Sequence, residues 1–112
     1  MLKFALIVFA IAAVGGLILA AHMLRGKYAP LVLSLLHGLL GATGLVLVVV
    51  VLAQGSAPTR VWVGLLLLVA AAVRGILLAS SRLRKQMPRK AAVLLHAGLA
   101  VTGFLTLLSL VL

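Results

Sequence analysis

Four stretches of this chain, Phe4 to Met23, Leu31 to Ala53, Val61 to Ser80 and Ala91 to Leu112, are almost wholly apolar. A bilayer's hydrocarbon core is roughly 30 Å thick, and a helix rising about 1.5 Å per residue needs about 20 residues to cross it. Each stretch is long enough. In lipid every backbone N–H and C=O must be satisfied within the protein, which leaves helices or a closed barrel, and runs of this length and continuity fit helices. The connections LRGKYAP, QGSAPTR and RLRKQMPRK are short and each holds a proline, which marks where a helix stops or starts. Short links make sequential helices antiparallel neighbours, so the sequence predicts an all-α integral membrane protein of four transmembrane helices, one bundle over residues 1–112.

Composition closes off the alternatives. Of 112 residues, 66% are hydrophobic, ten are Lys or Arg and none is Asp or Glu; mean hydropathy is +1.43. A soluble domain needs both signs of charge on its surface. The net charge of +10 sits beside apolar runs, where anionic lipid head groups are the natural partner and nucleic acid is not. With no cysteine, disulfides and thiolate chemistry are excluded. With no carboxylate, a proton relay through an intramembrane acid is excluded as well. There is no phosphate-binding glycine loop and no nucleophile with its base, so a self-contained hydrolase or ATP-driven machine is not expected. The opening MLKFALIVFAIAAVGG has the basic start and apolar stretch of a secretory signal, but no A-x-A site follows it.

Basic residues are unevenly divided. Arg25, Lys27, Arg82, Arg84, Lys85, Arg89 and Lys90 fall in or beside the first and third connections, against Lys3 and Arg60 at the other side. By the positive-inside rule loops 1–2 and 3–4 are cytoplasmic and both termini outside, as in a bacterial inner-membrane protein.

The chain also repeats itself. Shifted by 59 residues, Ala12 to Ala53 lies on Ala71 to Leu112 and matches Gly16 with Gly75, Arg25 with Arg84, His37 with His96, Thr43 with Thr102 and Gly44 with Gly103. Two tandem helical hairpins, about 1–53 and 60–112, running in the same direction, would be related by a pseudo-twofold axis along the membrane normal. Ala12, Gly16 and Ala20, with Ala71, Gly75 and Ala79, give small-xxx-small spacings that let helix backbones approach. Gly15 beside Gly16 adds a place where helix one can bend.

The segments LLHGLLGATG and LLHAGLAVTG carry the candidate site. At 100° per residue Gly41 and Gly44 lie within about 40° of His37, and Ala100 and Gly103 stand likewise to His96. Both histidines lie roughly 10 Å inside the helix end, beyond snorkelling range, so each needs a partner. One reading makes them interhelical glue, bonded to Ser34, Thr43, Thr102 or a backbone carbonyl. The other makes His37 and His96 the two axial imidazoles of one b-type haem, with Gly41, Gly44, Ala100 and Gly103 beside the macrocycle. A closed zinc site lacks ligands, since three histidines are the whole supply. His22 reads as an interfacial residue near head groups, a quinone or a propionate.

Arg74 is intramembrane by position, seven residues before Ser81, and the chain offers it no acid. Its counterion is a ligand, a lipid phosphate, a partner subunit or a helix C-terminus, or else the side chain snorkels; a haem propionate, met also by Arg25 or Arg84, is the specific alternative. The architecture resembles, in a general way, four-helix membrane cytochromes b and the haem-bearing anchors of quinone-linked oxidoreductases. That resemblance implies one-electron transfer, with the quinone pool as partner. Two further expectations stand beside it: an accessory or assembly subunit of a larger membrane complex of the respiratory type, and an anion pathway through Arg74 and the histidines in a homodimer.

Overall fold

The computed structural model describes residues 2–55 and 57–112. Four helices account for nearly all of them: α1 (Leu2–Leu24), α2 (Leu31–Ala53), α3 (Thr59–Leu83) and α4 (Lys90–Leu108). All four are long and apolar enough to cross a membrane. The bundle measures 44 × 23 × 21 Å, so its long dimension covers a hydrocarbon core together with part of the head-group layers.

The expected spans hold to within a few residues, except at the C-terminus. The last helix stops at Leu108, four residues short of the expected Leu112. There Leu110 and Val111 donate to the carbonyls three residues back, and Ser109 Oγ donates to Thr106 O. Such i→i+3 bonds and a local serine bond compete with continuation of the helix.

α1 and α3 end in the same way. Gly26 donates to Met23 O and Lys27 to His22 O; Lys85 donates to Arg82 O and Gln86 to Ser81 O. This paired pattern is the Schellman termination, which needs a left-handed residue just past the helix. Gly26 takes it at φ 76° and Lys85 at φ 55°. The chain then turns sharply, and each helix packs against the next.

α1 packs along α2 and α3 along α4; the two hairpins meet through α2 with α3 and α1 with α4, while the backbones of the diagonal pairs do not touch. One apolar core fills the half that holds both chain ends: Ala5, Leu6, Phe9, Val48, Val61, Leu65, Leu68 and Leu107. Close approach there depends on glycine. A methyl group on Gly64 would stand 2.6 Å from Leu107 Cδ2, and one on Gly44 2.6 Å from the Phe9 ring. The outward faces stay apolar, with Leu39, Leu66 and Ile76 about two-thirds exposed. Such a surface is matched to lipid.

Candidate functional site

The two histidines meet at the centre of the bundle. His37 on α2 and His96 on α4 belong to diagonal helices, yet their ring centroids are 6.1 Å apart with the planes at 84°. Both side chains are half-buried.

Each imidazole is held by the helix that precedes it in its own hairpin. His37 Nδ1 lies 2.8 Å from Ala12 O and His96 Nδ1 2.7 Å from Ala71 O. The acceptors are backbone carbonyls, so both Nδ1 atoms carry the proton and donate; in the neutral ring Nε2 is then the accepting nitrogen. The rings rest on glycine. A methyl group on Gly16 would stand 2.8 Å from His37 Cε1, and one on Gly75 3.0 Å from His96 Cε1. The small-xxx-small positions Ala12–Gly16 and Ala71–Gly75 therefore form a notch in α1 and another in α3, each occupied by an imidazole rather than by a neighbouring backbone.

Of the hydroxyls expected as alternative partners, Ser34 Oγ bonds neither histidine and the two threonines are engaged elsewhere. Thr43 donates to Leu39 O and Thr102 to Gly98 O, each within its own helix. His22 also stays local, its Nδ1 2.8 Å from Ile18 O.

The small residues flanking the histidines have unlike surroundings. Gly41 is half-buried and a methyl group there would meet nothing within 4 Å. Gly44 is buried under the Phe9 ring, and Gly103 under Leu68, whose Cγ would be 2.8 Å from an added methyl. Ala100 is half-buried. Arg74 immediately precedes Gly75, on which the His96 ring rests; it is half-buried, and its guanidinium nitrogens retain exposure. Arg25 and Arg84 are exposed at the loop end, with Arg84 Nε 3.4 Å from Ser80 O.

Residues not singled out from sequence tie the two hairpins together at that end. Arg82 Nε donates to Ala29 O at 2.7 Å, and its guanidinium carbon lies 5.5 Å from the centre of the Tyr28 ring. Tyr28 Oη in turn donates to Lys85 O. The only sequence cue was that Tyr28 is the chain's one tyrosine, placed in a loop otherwise built of small and basic residues.

Known proteins supply no relative: no protein family matches the chain, no curated protein matches it in sequence, and no solved structure matches its fold.

Proposed function

We propose that this chain is a small membrane b-type cytochrome, in which His37 and His96 would hold one haem. The carrying observation is the pairing of two imidazoles from diagonal helices, 6.1 Å between centroids. Two neutral imidazoles, one from each hairpin, are the donor set that would hold the iron of a b-type haem. Bonding of Nδ1 to a carbonyl adds to this. It fixes the tautomer that leaves Nε2 free, holds the ring in place and raises its basicity, the arrangement that metal-bound histidines use.

The haem supplies one-electron chemistry at iron when bound. The chain's own contributions follow from its residues. Ala12 O and Ala71 O hold the two Nδ1 protons. The apolar walls exclude water and lower the local dielectric. Ten cations without one carboxylate make a setting that favours the added electron, and Arg74, Arg25 and Arg84 are the groups available to carboxylates. Gly41 leaves room one turn from His37, whereas Phe9 and Leu68 cover Gly44 and Gly103. The two hairpins are read as tandem repeats about a pseudo-twofold axis, which makes the two ligands equivalent in depth. The basic loops are assigned to the cytoplasm of a bacterial inner membrane, with both termini outside, and the membrane quinone is the redox partner.

A second reading has one observation in its favour: both imidazoles already possess a backbone carbonyl as partner. On that reading the histidines lock each hairpin, and the chain is a non-catalytic accessory subunit of a larger membrane complex. Titration of detergent-purified protein with haemin separates the two. The cytochrome reading predicts a Soret band that saturates at one haem per chain and is lost in His37→Ala and in His96→Ala. Haem uptake that is absent, or unchanged in both variants, overturns it, and a fall in thermal stability without any haem signal is the outcome expected of the lock.

A further inference from the structure

Between the two hairpins, at the basic end, the outer surface carries a cleft walled by Leu31, Ser34 and Leu35 of α2 and by Ala79, Arg82 and Leu83 of α3. Its apolar walls face outward: Leu31 is 43% exposed, Leu35 59% and Leu83 71%. Arg82 closes one side and does not move freely there. Its Nε is spent on Ala29 O, and Tyr28 lies against its guanidinium. Nη1 and Nη2 have no acceptor among the described residues and are not buried. Those N–H groups form a fixed fork, the geometry that meets phosphate oxygens in pairs. Ser34 adds a second polar group, since its hydroxyl has no partner among the described residues while its backbone N–H is taken by Pro30 O.

We infer that this cleft is a binding site for one anionic phospholipid, its phosphate on Arg82 and Ser34 and an acyl chain along Leu31, Leu35 and Leu83. Position favours a lipid over a soluble phosphate. Arg82 lies in the last turn of α3 and Leu31 opens α2, so the polar end is at head-group level and the apolar walls continue into the bilayer. Charge favours an anionic one. Seven cations gather at this end and the chain has no acid to neutralise any of them, so lipid phosphates are the available counterions. The inference does not depend on the haem reading.

Native mass spectrometry of the full chain, released from detergent with phosphatidylglycerol or with phosphatidylcholine of the same acyl chains, tests it. One phosphatidylglycerol should be retained per chain, at least about tenfold more tightly than phosphatidylcholine, because both lipids offer the phosphate but only phosphatidylcholine adds an ammonium that the cations around the cleft repel. Arg82→Gln should lose that preference, while Arg84→Gln, an exposed cation outside the cleft, should keep it. Ser34→Phe, which fills the cleft and leaves the Arg82–Ala29 bond in place, should also lose it, so a folding defect in Arg82→Gln does not decide the matter. Equal binding of the two lipids would overturn the preference for an anionic head group, and equal losses in Arg82→Gln and Arg84→Gln would overturn the site in favour of diffuse charge attraction. Competition by glycerol 1-phosphate as effective as that by the lipid would overturn it in favour of a free phosphate.

Discussion

An imidazole in the middle of an apolar bundle must find an acceptor for its N–H, and here each finds one in a neighbouring helix backbone made accessible by glycine. An interhelical bond of this kind contributes roughly 0.6 kcal/mol and up to about 1.7 in a membrane. The glycine beneath the ring is as necessary as the carbonyl. Gly16→Ala or Gly75→Ala would gain about 1 kcal/mol of helix propensity. Against this, the new methyl at 2.8 or 3.0 Å from Cε1 must displace the ring, costing about 1–3 kcal/mol of overpacking in addition to the bond. The net expectation is destabilisation by roughly 1–2 kcal/mol. Gly41→Ala, with nothing within 4 Å, should be neutral or stabilising. Thermal unfolding of the three variants in one detergent checks the order; equal effects at Gly16 and Gly41 would contradict it. At this scale the rare residues were legible and the common ones were not. His37 and His96 stand out of an apolar sequence, whereas their acceptors are carbonyls of Ala12 and Ala71, atoms that every residue possesses. The glycine stripes could be drawn on a helical wheel, but that Phe9 and Leu68 cover Gly44 and Gly103 depends on how neighbouring helices are rotated.

Among the elements, the ends of α1 and α3 are built alike but not from like residues. Gly26 adopts the left-handed conformation at little steric cost, whereas Lys85 adopts it at about 1–2 kcal/mol because of its Cβ. Lys85→Gly removes that strain but gives up about 0.5–1 kcal/mol to the greater freedom of an unfolded glycine. A gain of roughly 0.5–1 kcal/mol is expected, read as a higher midpoint of thermal unfolding. The acceptor for Tyr28 is the Lys85 carbonyl, so the bond between the loops survives the change. A lower midpoint would show that the lysine side chain carries a stabilising contact larger than its backbone strain. Helix existence and extent were legible because hydropathy over twenty residues is a long signal. The early stop at Leu108 was not, since Leu110 to Leu112 are as apolar as what precedes them and local serine and turn bonds decide the end.

Across the whole molecule, two hairpins are joined at three levels: an apolar core at the end that holds the termini, the imidazole pair near the middle, and the Arg82–Ala29–Tyr28–Lys85 set at the basic end. The middle level is the one the cytochrome proposal draws on, since each Nδ1 is bonded to a carbonyl and neither Nε2 has a hydrogen-bond partner among the described residues. The last level escaped the sequence reading: Tyr28 and Arg82 are 54 positions apart, and only the arrangement of the hairpins brings them together. The central claim is that the imidazole pair ligates haem, and the reduced-minus-oxidised absorption spectrum of the chain purified from haem-replete membranes tests it most directly. Sharp α and β bands on reduction, with loss of the bands in both His37→Ala and His96→Ala, are the predicted result. A colourless wild-type protein from the same membranes would contradict the account.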